Sequence, residues 1–133
     1  MALSFITSKV RDPQEHIRIA AYNALADIAS RDLVPLLEDG CLDSSVLVRA
    51  KAVEGLGRTV DRGRQSKQTR QSSQAIPASL KRALDDAAPT VRIAALNALG
   101  DVKDSSVLDR ITRIARTEEG AVHVFALAAL VKL

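Results

Sequence analysis

Three aspartate–arginine pairs are the first residues whose types and spacing could do chemistry. Asp12, Asp43 and Asp86 each stand six residues before an arginine, namely Arg18, Arg49 and Arg92. A row of carboxylates and guanidiniums could polarise or protonate a substrate, but a catalytic site is expected at one place in a chain, and this pairing occurs three times. The histidines, His16 and His123, are too few and too far apart to make a metal site without further convergent ligands. Cys41 has no histidine or basic cluster beside it that would lower its pKa, so it reads as a core cysteine rather than a nucleophile. No glycine-rich phosphate loop is present. The expectation is no catalytic residue, no metal and no cofactor.

The elements that carry these residues emerge from an internal repeat. Four segments align without gaps: 17–25, 48–56, 91–99 and 122–130. Ala21, Ala52, Ala95 and Ala126 form one column, and Leu25, Leu56, Leu99 and Leu130 another. Ala24, Gly55, Ala98 and Ala129 form a third column of small residues, and Ile17, Val48, Val91 and Val122 precede the arginine position. The step from 18 to 49 is 31 residues, as is that from 92 to 123; the middle step of 43 contains 12 more. His123 takes the arginine position of the fourth segment, and Thr117 takes the aspartate position.

Each aligned segment follows a second apolar stripe. Ile6, Leu37, Leu80 and Ile111 lie twelve residues before the arginine column, and Val10, Cys41, Leu84 and Ala115 eight before it. Steps of four mark helices. The chain therefore predicts helical hairpins, with first helices near 2–11, 32–42, 76–86 and 105–116 and second helices near 14–29, 45–60, 89–101 and 119–132. Asp12-Pro13, Asp43-Ser44-Ser45 and Ala88-Pro89-Thr90 supply the capping and first-turn residues between the two helices of a hairpin. Tyr22 falls in a column otherwise filled by valine and leucine and reads as core.

Composition agrees. The 133 residues suit one domain, and 2% aromatic content leaves Ala, Leu, Val and Ile to build the core, which favours helices. The formal charge of +3 is too small to imply a partner by itself. One cysteine makes no intramolecular disulfide. No run reaches the ~20 apolar residues of a membrane span, and the N-terminus lacks the basic region of a secretory signal. These features predict a soluble cytoplasmic protein that does not enter a membrane.

The segment Asp86-Ala87-Ala88-Pro89-Thr90-Val91-Arg92-Ile93-Ala94-Ala95-Leu96-Asn97-Ala98-Leu99-Gly100 resembles the HEAT-like repeat of phycobilisome-lyase-type proteins, and 43–57 and 12–26 are similar to it. The resemblance implies an all-α fold, a right-handed α-solenoid of four HEAT-like hairpins with about eight helices. The repeats would span about 2–30, 31–60, 75–103 and 104–133. It also implies that Asp12, Arg18, Asp43, Arg49, Asp86 and Arg92 form a structural ladder. In it each arginine bonds turn carboxylates or carbonyls of its own or a neighbouring repeat. HEAT-like deoxyhypusine hydroxylases carry paired His-Glu motifs; this chain has only Glu15-His16, in the reverse order.

Three surfaces remain. On the second helices, a stripe two, five and nine positions after the arginine column carries Asn23, Asp27, Lys51, Glu54, Arg58, Asn97 and Asp101, the predicted partner-binding groove of the inner curve. A basic insert at 61–74, with Arg62, Arg64, Lys67 and Arg70, is expected as a flexible loop. The last helix is apolar on too many sides: Phe125, Leu127, Leu130, Val131 and Leu133 cannot all face inward, so it should pack on a second copy, a partner or further repeats. The function these point to is a non-catalytic protein–protein interaction scaffold or adaptor. The alternatives are nucleic-acid binding through the insert and, by resemblance alone, a subunit of a bilin lyase.

Overall fold

The computed structural model describes residues 2–65, 77–102 and 105–133. Among them are eight α-helices and no strand: α1 (Ala2–Ser8), α2 (Glu15–Ile28), α3 (Val34–Gly40), α4 (Val46–Gln65), α5 (Ala78–Arg82), α6 (Pro89–Val102), α7 (Leu108–Thr117) and α8 (Gly120–Lys132). They pair as four hairpins, and α3, α5 and α7 are each extended by a short 3-10 turn, at 31–33, 83–85 and 105–107. The first helices are short and the second ones long. That asymmetry follows from the sequence, because the Ala and Leu columns continue for several turns only on the second helix of each pair.

Stacking those second helices builds the core. Ala52, Ala95 and Ala126 are wholly buried, as are Leu25, Leu56 and Leu99, while Leu37, Leu80 and Ile111 close the core from the first helices. Each such leucine removed from water contributes roughly 2–3 kcal/mol, and no hairpin could bury these faces alone. Tyr22 is buried at the seam, and its hydroxyl donates to the Leu36 carbonyl at 3.2 Å. Burial pushes its pKa up to about 12.

Close approach of neighbouring second helices follows one rule. The residue eight positions after the arginine column packs on the residue six positions after it in the following repeat. A Cβ at Gly55 would lie 3.1 Å from Cα of Ala26, one at Gly57 would lie 2.4 Å from Cβ of Ala98, and one at Gly100 would lie 3.2 Å from Cα of Ala129. Three junctions thus share a glycine–alanine contact, and at Gly57 even one methyl group would force the helices apart.

The structure differs from the sequence reading at the insert. Helix α4 continues to Gln65, so Asp61, Arg62 and Arg64 lie on a helix rather than on a loop beginning at 61. The physical reason is visible at Arg62, whose guanidinium donates to the carbonyls of Ile28 (2.6 Å) and Asp27 (3.3 Å) at the end of α2. Those carbonyls are left open where α2 stops at Ala29, which adopts the left-handed conformation (φ 45°). An arginine from the adjacent helix satisfies them and extends α4 in doing so. Lys67 and Arg70 lie outside the described residues.

Candidate functional site

The hairpin turns line up along one edge, and the arginines join them. Arg18 donates from Nε to Asp43 Oδ2 at 3.0 Å and from Nη2 to Asp43 Oδ1 at 3.2 Å, while its Nη1 reaches the Asp12 carbonyl at 2.9 Å. Arg49 repeats this on Asp86 at 3.0 and 3.1 Å and on the Asp43 carbonyl at 2.9 Å. Each arginine therefore binds a backbone carbonyl of its own turn and, through a two-pronged contact, the carboxylate of the next turn. The carboxylates are held ready by their own backbone: Asp43 Oδ1 accepts from Ser45 N–H and Asp86 Oδ1 from Ala88 N–H. Burial acts against the charge of Asp86, but the Arg49 and Ala88 hydrogen bonds and the nearby arginines outweigh it and hold its pKa below the usual value. At Arg18 the hydrogen bond it donates to Asp43 raises the pKa above its usual value.

The last rung is different. Arg92 Nη1 donates to the Asp86 carbonyl at 2.8 Å, but its carboxylate partner is Glu118, at 3.4–3.5 Å from Nη2. Nε of Arg92 is buried with no partner among the described residues. Sequence alignment pointed to Thr117 as a lost aspartate; the neighbouring glutamate supplies the charge from one position along. His123, in the arginine column, turns back instead, with Nδ1 2.7 Å from the Ala115 carbonyl.

Residues of α4, α6 and the end of α8 line a groove of about 590 Å³. Of the predicted groove residues, Lys51, Glu54, Arg58, Asn97 and Asp101 line it. Asp27 adjoins it by pairing with Arg58, at 2.9 Å between Oδ1 and Nη1. Asn23 is exposed on α2 and is not part of its lining. Apart from Ala94, which shares the stripe of Asn97 and Asp101, the apolar floor was not singled out from the sequence. It consists of Leu47, Ala50, Ile93, Ala94, Ala98 and the surface over Gly57. Its signal was the apolar character one position after the arginine column, at Ala50 and Ile93. These residues are half-buried and so look like ordinary core in a linear pattern.

The groove rim is charge-balanced. Lys51, Arg58 and Lys132 stand with Glu54, Asp61 and Asp101. Arg58 Nη2 lies 2.7 Å from Glu54, Lys51 Nζ 3.5 Å from the same carboxylate, and Lys132 Nζ 2.7 Å from Asp101. These pairs are well exposed, so each contributes little to stability and can exchange partners at low cost. Cys41 lies apart from the groove, and burial pushes its thiol up to about 12, which keeps it in the unreactive form. Among the described residues no cluster of three or more His, Cys, Asp or Glu could hold a metal, and no helix is long and apolar enough to cross a membrane.

Stacked helical hairpins, a periodic turn ladder and an open concave groove define an α-solenoid. The sequence profile for HEAT repeats matches residues 1–57 and 43–130, and the chain belongs to the HEAT-repeat family. No curated protein matches the chain. HEAT repeats commonly serve as protein-interaction scaffolds, since their stacking produces extended concave binding surfaces.

Proposed function

We propose that this chain is a non-catalytic interaction scaffold that takes a segment of another protein into the groove between α4 and α6. The observation that carries this reading is the groove's make-up. An apolar floor of Leu47, Ala50, Ile93 and Ala94 runs beneath a rim with three cations and three carboxylates. A floor of that kind gains from burying apolar side chains. A rim of paired, exposed charges gives orientation and discrimination by partner exchange. A polyanion would meet Glu54, Asp61 and Asp101 as well as the basic residues, so the groove favours a mixed-charge, partly apolar protein segment over nucleic acid. The residues that would carry recognition are Lys51, Glu54, Arg58, Asn97 and Asp101, with Asp27 behind Arg58.

Quantitative affinity capture with the immobilised chain tests this. Proteins enriched by the unchanged chain should be lost from Leu47→Asp and Arg58→Glu variants and retained by Arg116→Ser, which lies on exposed α7 surface away from the groove. Equal capture by all three would refute the reading. Salt-dependent binding of short nucleic acids, abolished by changing Arg62, Arg64, Lys67 and Arg70 to serine, would replace it with the nucleic-acid alternative.

A further inference from the structure

The two ends of the solenoid expose the two halves of one interface. Four residues after the arginine column, Tyr22, Val53 and Leu96 are each buried against the following hairpin. Leu127 occupies the same column and is 46% exposed. Eight residues after the arginine, Ala26, Gly57 and Gly100 are buried at the close helix contacts, whereas Val131 is 88% exposed. Val124, beside them on the same face of α8, is exposed too. The side of α8 that every other second helix covers with its successor is therefore open and apolar.

At the other end the complementary columns are open. Twelve before the arginine, Leu37, Leu80 and Ile111 are wholly buried, while Ile6 is only half-buried. One before it, Val48, Val91 and Val122 are buried and Ile17 is half-buried. Ile6 and Ile17, with Phe5, Ala20 and Ala24, line an apolar groove of about 450 Å³ between α1 and α2. Charge follows the same pattern. Asp12 Oδ1 accepts from Gln14 N–H at 2.9 Å, the geometry that Asp43 and Asp86 use, yet no arginine among the described residues reaches its carboxylate. Opposite it in the repeat order would stand His123, which occupies the arginine column and whose Nδ1 is engaged by the Ala115 carbonyl, leaving Nε2 as its remaining polar atom.

We propose that the chain stacks head to tail on a second copy of itself, with the α8 face (Val124, Leu127, Val131) seated on the α1–α2 face (Phe5, Ile6, Ile17, Ala24) and His123 facing Asp12. A second copy fits because the same pairing of columns already occurs at three junctions inside the chain, and each copy carries both halves once. The contact is heterologous, so it propagates copies into a line rather than closing a two-fold dimer. It is weaker than the internal junctions for two reasons. Val131 stands where they have glycine or alanine, which holds α8 away from α2 of the next copy. His123 also offers one remaining ring nitrogen where an arginine offers a fork.

Sedimentation velocity of the full chain over a concentration series tests this. The weight-average mass should climb beyond a dimer with concentration. Val131→Asp and Phe5→Asp change exposed positions at opposite ends, and each alone should remain monomeric, with the association weakened at least about tenfold. Mixed together they should form a dimer that grows no further, because only one intact junction is left. Val131→Ala with His123→Arg restores the internal pattern and should tighten association by about tenfold. Three results would overturn the proposal: a monomer at all concentrations, a closed dimer that survives Phe5→Asp alone, or a Val131→Asp and Phe5→Asp mixture that stays monomeric while circular dichroism shows both folded.

Discussion

The turn edge and the groove of this solenoid use the same residue types in opposite ways. Along the turn edge, Arg18 and Arg49 are 14–18% exposed and fork onto equally shielded carboxylates. Across the groove, Arg58 is 44% exposed and divides its guanidinium between Asp27 and Glu54. The turn-edge pairs recur at the repeat period because each must close the same junction. Of the groove pairs, Arg58–Asp27 and Lys132–Asp101 also join one column across a junction, whereas Lys51–Glu54 and Arg58–Glu54 belong to a single repeat, and all of them are exposed. A pair shielded by the fold ties up its charges; an exposed pair keeps them available. On the proposed function the ladder would serve stability and the groove recognition, and substitutions should separate the two.

The largest effect is expected at the central rung. Arg49→Ala removes four charged hydrogen bonds, two to Asp86 and two to the carbonyls of Asp43 and Ser44, and leaves Asp86 without its arginine. It should cost about 2–3 kcal/mol in urea unfolding at neutral pH, and binding to a groove partner should be unchanged in the folded fraction. A loss of binding without a loss of stability would invert the comparison.

Acid resolves the same rung from its other side. The folded-state pKa of Asp86 is lowered, so its contribution is complete above the unfolded carboxylate value near 3.9 and is lost as pH falls through the lower folded value. Asp86→Asn should therefore destabilise the chain by about 1–2 kcal/mol at neutral pH, and the gap to the unchanged protein should narrow as pH drops below about 4. A gap that stays constant down to about pH 2 would show that the aspartate acts by its shape and not by its charge.

The terminal rung should matter less. Arg92 is paired with Glu118 at 3.4–3.5 Å and has a buried Nε without a partner, so Arg92→Ala should cost about 1 kcal/mol, less than Arg49→Ala. Thr117→Asp restores the residue type of the other turns and should raise the thermal midpoint if it draws the rung into the two-pronged form. No change in the midpoint would mean that Glu118 already satisfies Arg92 as fully as the junction allows.

How much of this was legible in the sequence follows from what repeats. The Ala and Leu columns and the hairpins stood out because four copies impose the same packing, and the arginine–aspartate spacing because three do. The polar rim of the groove was legible from helix periodicity, which placed Lys51, Glu54 and Arg58 on one stripe. Its apolar floor was not, since Ala50 and Ile93 have the residue types of a core and only the groove between α4 and α6 leaves them half-open. The helical course of Asp61–Gln65 was hidden for another reason. Its composition is polar and basic, and the partners that hold Arg62 are the carbonyls of Asp27 and Ile28, which no side-chain pattern announces. Glu118 escaped because a longer side chain reaches the rung from the adjacent position.

The smallest expected effect on stability gives the sharpest contrast. Lys51 and Arg58 make ion pairs whose members are 37–69% exposed, and water screens them heavily. Arg58→Ala and Lys51→Ala should each shift unfolding by no more than about 0.5 kcal/mol. Both side chains stand on the groove rim, however, and a bound segment would shield the pairs that water now screens. Affinity for a groove partner should therefore fall about tenfold for Arg58→Ala, whose guanidinium bridges Asp27 and Glu54. The loss should be smaller for Lys51→Ala, which contacts Glu54 alone among the described carboxylates. Calorimetric titration of a captured partner against both variants, beside their unfolding curves, measures the two quantities on the same samples. If Arg58→Ala lowered stability as much as Arg49→Ala and left affinity intact, the groove pairs would be part of the scaffold, and recognition would have to be sought on another face.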